Sequence, residues 1–91
     1  MLDKEGRIMI PEEFRESYQA KGNVYIYYDE EDNRFFILPE EVHHLYMVAI
    51  RKLDSKGRFF LPKVIKKMYK TKSMLIVSQE KILLLLPLKE E

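Results

Sequence analysis

The stretch Leu2-Asp3-Lys4-Glu5-Gly6-Arg7-Ile8-Met9-Ile10-Pro11-Glu12-Glu13-Phe14-Arg15 is written a second time, 51 positions on, as Leu53-Asp54-Ser55-Lys56-Gly57-Arg58-Phe59-Phe60-Leu61-Pro62-Lys63-Val64-Ile65-Lys66. Leu, Asp, Gly, Arg and Pro recur in register, and apolar positions fall on apolar positions. A repeat of this length makes the chain two copies of one supersecondary unit. Within each copy, Asp-x-x-Gly is turn chemistry: the Asp carboxylate accepts from backbone two residues on, and Gly takes a positive φ. Residues 7–10 and 58–61 then read as short strands. Pro11 and Pro62 close them and open helices over 11–19 and 62–70, with the ring at the first helical position. Glu12 and Glu13 place acid at the positive end of the first helix.

Working outward, each helix is followed by a polar loop and a hairpin. In the first half Val24-Tyr25-Ile26-Tyr27-Tyr28, a turn over 29–33 and Arg34-Phe35-Phe36-Ile37-Leu38 carry the β-branched and aromatic enrichment of paired strands. In the second half the counterpart is 74–77, a turn over 78–81, and the run Ile82-Leu83-Leu84-Leu85-Leu86, apolar enough to be buried on both faces. Residues 40–46 read as a short linking helix. Met47-Val48-Ala49-Ile50-Arg51-Lys52 reads as an extra leading strand that the first copy lacks, leaving an edge open to pairing between chains. The expected organisation is one domain over 1–91, with repeat one at 1–39, the linking helix at 40–46 and repeat two at 47–91. One repeat is too short for its own core, so the two must share one. The expected fold is mainly β with short helices, two pseudo-symmetric β-α-β-hairpin repeats forming a closed or nearly closed barrel, since closure removes exposed edges.

Composition narrows the function. The 91 residues include no cysteine, so neither disulfides nor thiolate chemistry contribute. No long uninterrupted apolar run suggests a membrane span, and the opening Met1-Leu2-Asp3-Lys4-Glu5 does not read as a signal peptide. The net charge of +1 conceals a polarity, because residues 1–45 sum to −6 and residues 46–91 to +7. Such asymmetry suits a polyanion, an acidic partner or self-docking. Nucleophile elbow, phosphate-binding Gly loop and His–carboxylate constellation are all absent, so an enzyme is not expected, nor is any cofactor.

Leu-Asp-x-x-Gly-Arg-x-x-x-Pro followed by a short helix and a hairpin resembles the AbrB/MazE/MraZ (SpoVT-AbrB) superfamily, whose fold is the swapped-hairpin barrel. Two such units in one chain are more similar to MraZ, in compact form. The resemblance implies a prokaryotic, cytoplasmic and nucleoid-associated transcription regulator that contacts double-stranded DNA. Carried over by position, it implies DNA contacts from Arg51, Lys52, Arg58, Lys66 and Lys67 in the second half and from Arg7 and Arg15 in the first. Two departures weaken the first half: it has no strand supplying an Arg51 equivalent, and Glu16 stands where Lys67 stands.

The charges speak separately from the resemblance. At about 100° per residue, Lys63, Lys66, Lys67 and Lys70 share one arc, with Val64, Ile65, Met68 and Tyr69 opposite as an apolar anchor. Lys63 lies in the first helical turn, where the dipole disfavours a cation. The matching positions in half one are Glu12, Arg15, Glu16 and Gln19. Half two is thus expected to make most phosphate contacts, with Arg51 and Arg58 suited to guanine edges.

Plainer roles compete for several of these residues. The helix lysines form a solvated face in one reading, and Arg7 and Arg58 pair with a nearby Asp in another. His43-His44 reads as surface linker rather than metal ligand. Tyr25, Tyr27 and Tyr28 read as hairpin packing, and Asp29-Glu30-Glu31-Asp32 as a solvated tip. Two other functions stand beside DNA binding. One is an antitoxin of MazE type, although Leu88-Lys89-Glu90-Glu91 lacks the acidic tail such proteins carry. The other is an assembly or adaptor protein, in which acidic repeat one docks on basic repeat two of a neighbour as a homo-oligomer. No membrane partner is expected.

Overall fold

A computed structural model describes residues 2–69, 74–79 and 82–87. Along these the chain forms β1 (Arg7–Met9), α1 (Glu12–Lys21), β2 (Asn23–Asp29), β3 (Arg34–Leu38), β4 (Met47–Lys52), β5 (Arg58–Phe60), α2 (Lys63–Tyr69), β6 (Met74–Gln79) and β7 (Ile82–Pro87). The structure is mainly β, with two short helices. β1 and β5 pair as a two-stranded ribbon, and the other strands form a sheet in the order β4-β2-β3-β7-β6. Every pairing is antiparallel.

The repeats interleave rather than sit side by side. β1 pairs with its own counterpart, β5, in the register Arg7↔Phe60, Ile8↔Phe59 and Met9↔Arg58. That register is symmetric about Ile8 and Phe59. Hydrogen bonds extend it at both ends, Ile10 N–H to Gly57 O at 2.9 Å and Leu61 N–H to Gly6 O at 3.1 Å. A second cross-repeat seam joins β3 to β7, centred on Phe36↔Leu84. One core results: Ile8, Phe59, Tyr18, Ile65, Val24, Ile26, Ile37, Leu83 and Leu85 belong to a single buried cluster drawn from both halves. A lone repeat would leave both seams unpaired.

Several expectations change. Among the described residues the ladders form two open sheets, so full closure of the barrel is not seen there. β1 and β5 are only three residues long, because Pro11 and Pro62 follow closely and bring no N–H to prolong a ladder. Pro11 is the N-cap of α1, with φ −55° and ψ 144°, so the ring stands one position before the first helical residue. Residues 40–46 form turns and no helix. The segment is tied instead to the buried Tyr27 ring, whose hydroxyl accepts Val42 N–H at 2.7 Å and donates to Glu40 O at 3.5 Å. The run 82–86 is buried on both faces only at its centre: Leu83, Leu84 and Leu85 are buried while Ile82 is exposed. The hairpins, the leading strand β4 and the extents of α1 and α2 otherwise follow the reading to within one or two residues, with Lys70 outside the described residues.

Candidate nucleic-acid interface

Each Asp-x-x-Gly-Arg turn is built from one carboxylate. Asp3 Oδ1 accepts the N–H groups of Glu5 and Arg7, both at 2.9 Å, and Oδ2 accepts Arg7 Nε at 2.8 Å. Asp54 repeats the pattern on Lys56 and Arg58 at the same distances. Gly6 and Gly57 stand at φ 83° and 78°, which only glycine adopts without cost. The backbone N–H of the Arg holds each carboxyl below the ordinary aspartate value, against an opposing desolvation, with further help from the second N–H and the guanidinium. These turns aim the two arginines along the ribbon.

The ribbon has an inner and an outer face. Ile8 and Phe59 point into the core, whereas Met9 and Phe60 are exposed, 42% and 54% respectively, on the side that also carries Arg7 and Arg58. Arg7 lies 5.9 Å from the Phe60 ring centroid, within cation–π range. The two arginines are unequally engaged. Arg7 pairs with Asp3, with Glu5 at 3.1 Å and with Asp54 at 3.8 Å. Arg58 pairs through Nε with Asp54 alone, so its two terminal amino nitrogens have no partner among the described residues. The ion-pair reading therefore describes Arg7 more completely than Arg58.

Interleaving also exchanges the helix cations. Arg15 of α1 lies over Gly57 of the second repeat, its Cγ 2.8 Å from where a Cβ there would stand. Arg15 Nε donates to Ile10 O at 3.2 Å. Its counterpart on α2, Lys66, lies over Gly6 of the first repeat, with Nζ 2.9 Å from the corresponding point. Arg7, Arg58, Arg15 and Lys66 are thus brought together around one short ribbon. Lys63 and Lys67 are exposed on α2, and Arg51 and Lys52 end β4, just before the second turn. Lys70, the fourth lysine of the stripe, lies outside the described residues.

The apolar side of α2 differs from expectation. Ile65 is buried and Tyr69 half-buried, but Val64 and Met68 are exposed at 45% and 49%. They border an open groove of about 470 Å³ with Tyr28, Phe35, Tyr46 and Met47. Burial follows the Ile65–Tyr69 line, and Val64 and Met68 lie about 100° round from it. Sequence reasoning missed the role of two tyrosines. The Tyr69 hydroxyl donates to Leu85 O and accepts from Phe35 N–H, both at 2.9 Å, bridging the β3–β7 seam. Tyr18 donates to Ile37 O at 3.0 Å, the equivalent position across that seam. The signal was present, since Tyr18 and Tyr69 also stand 51 apart.

His43 and His44 are exposed in the linker, and among the described residues no cluster of three or more His, Cys, Asp or Glu is arranged to hold a metal ion. Among the same residues no helix is long and apolar enough to cross a membrane. Compared with protein-family models, with curated proteins and with solved structures, the chain finds no match in any of the three.

Proposed function

We propose that this protein binds duplex DNA as a transcription regulator of the AbrB/MraZ type, its repeats related as swapped hairpins. The observation that carries the reading is the β1–β5 ribbon, with Arg7 and Arg58 in two-fold related positions and Lys66 and Arg15 over its ends. A two-stranded antiparallel ribbon is one of the two elements a major groove admits. In this reading Arg58 and Arg51 address base edges, and Lys63, Lys66, Lys67 and Lys52 sit against phosphates, which position the protein without reading sequence. Repeat two makes the larger share, because Arg7 is neutralised by three carboxylates and the helix face of repeat one carries Glu12 and Glu16. A regulator of this kind works at the nucleoid, in the cytoplasm.

Selection from a random duplex pool, followed by a salt titration of the selected sequence, tests the proposal. Lys66→Glu and Lys67→Glu should each weaken binding to all duplexes and reduce the salt slope by about 1. Failure to bind any duplex at low salt would refute DNA binding. The ion pairing of Arg7 with Asp3, Glu5 and Asp54 lies within one chain and weighs against Arg7 as a DNA contact, while the assembly or adaptor reading is supported by the charge asymmetry between the repeats. The assembly reading would gain from oligomers that form at low salt, dissociate as salt rises and show no duplex affinity. The antitoxin reading would be carried by co-purification with a toxin.

A further inference from the structure

The two edges of the five-stranded sheet are protected very differently. β4 borders β2 and ends in Arg51 and Lys52, and its pairing shifts register between Ile26 and Tyr27. Charge and irregularity of this kind are what keep an edge strand from pairing with another chain. β6 borders β7 through six pairs without interruption, from Met74↔Pro87 to Gln79↔Ile82. Its sequence, Met74-Leu75-Ile76-Val77-Ser78-Gln79, contains no charge and no proline. No described strand pairs with its other side.

The internal symmetry states what that side accepts. β2 and β6 are counterparts at the 51-residue spacing, and β2 holds β4 on the flank that corresponds to the open flank of β6. By that correspondence, an antiparallel strand added there would occupy the place that β4 occupies beside β2, at the usual spacing of roughly 4.8 Å. Backbone N–H and C=O groups along such an edge are satisfied by water or by another strand.

We propose that the open edge of β6 is a homodimerisation surface, on which β6 of a second copy pairs antiparallel to extend the sheet across a two-fold axis. Three observations select a second copy over an unrelated strand. An antiparallel pair of identical strands can set one residue, Ile76 or Val77, opposite its own copy, as Ile8 stands opposite its counterpart Phe59 in the β1–β5 ribbon, and this closes the assembly at two copies. The strand carries no charge that would face its own image. The net charge of +1 leaves little long-range repulsion between copies. The contact is isologous and independent of the charge asymmetry between repeats, so it differs from docking of an acidic half on a basic half.

The test uses the full chain without DNA. Light scattering over a range of concentrations should show a monomer–dimer equilibrium that persists in high salt. Hydrogen exchange should show amides of 74–79 becoming protected as concentration rises, while those of 47–52 stay unchanged. Ser78 and Gln79 have exposed side chains, so the double change Ser78→Lys with Gln79→Lys gives β6 the terminal cations that guard β4. It should weaken the dimer about tenfold or more with an unaltered far-ultraviolet circular dichroism spectrum. A monomer at every concentration would overturn the proposal. So would a dimer that leaves the amides of 74–79 unprotected, or a doubly substituted chain that dimerises as tightly as the parent. Should that variant fail to fold, the exchange measurement on the parent decides.

Discussion

Gly6 and Gly57 occupy equivalent turns, yet alanine at the two should cost different amounts. Both have the left-handed conformation, with φ 83° and 78°, and a side chain held there costs about 1–2 kcal/mol. At Gly6 the new Cβ would meet only Lys66 Nζ at 2.9 Å, the far end of a flexible chain that can swing into solvent. At Gly57 it would meet Arg15 Cγ at 2.8 Å and Cδ at 2.9 Å, the stem of a side chain whose Nε is anchored on Ile10 O. Moving that stem breaks the anchor, a further loss of about 1 kcal/mol. Gly57→Ala is thus expected to cost about 2–3 kcal/mol and Gly6→Ala about 1–2 kcal/mol. At about 4–8 °C per kcal/mol for a domain of this size, the variants should differ in Tm by several degrees. Urea denaturation of Gly57→Ala, Arg15→Ala and the double variant measures the coupling directly. Without Arg15, the cost at Gly57 should fall to that at Gly6, a coupling of about 1 kcal/mol. Additivity within about 0.3 kcal/mol would refute the reasoning, since it would mean that Arg15 does not rest on the glycine.

Other outcomes follow from the same geometry. Tyr69→Phe removes a hydroxyl serving two backbone groups and should cost about 2–3 kcal/mol, against about 1 kcal/mol for Tyr18→Phe, as measured by chemical denaturation. Tyr27→Phe should leave the sheet intact but speed hydrogen exchange at Val42, whose N–H bonds to that hydroxyl, by about tenfold for each 1.4 kcal/mol lost. Asp3 and Asp54 have lowered pKa values in the folded state. Their stabilisation is therefore complete above the unfolded aspartate value, near pH 4, and is lost as pH falls through the folded values. Melting temperature should decline on acidification below about pH 4, and less steeply in Asp3→Asn with Asp54→Asn.

Much of the fold was legible because its signals are local. Asp3, Gly6, Asp54 and Gly57 announce turns by their own backbone chemistry, and β-branched and aromatic runs flanking polar tips announce hairpins. What escaped the reading depends on partners remote in sequence. The 40–46 segment is held as turns by contacts with Tyr27, whose hydroxyl accepts Val42 N–H and donates to Glu40 O, fifteen and thirteen residues away. Among the described residues the ladders stay open, although the repeat suggested a closed or nearly closed barrel. In the candidate site, the basic residues were identifiable one by one, but their grouping was not. Lys66 lies over Gly6 and Arg15 over Gly57 only because β1 and β5 cross between repeats. Val64 and Met68 looked like anchor on a helical wheel, since a wheel shows which residues share a side and not which side meets the core. Tyr69 read as part of an apolar anchor and Tyr18 drew no reading, and only the backbone groups that their hydroxyls meet reveal their role.

The crossing of β1 with β5 bears on how such a molecule can diversify. In an assembly of two identical chains, every substitution occurs at both symmetric positions, so a change useful on one face is imposed on the other. Here the counterparts share one ribbon and one core but are encoded separately. Glu12 and Glu16 can therefore stand opposite Lys63 and Lys67 while Asp, Gly, Arg and Pro hold both turns alike. Covalent linkage retains the mechanical interdependence of a dimer and releases its two outer surfaces to be selected independently.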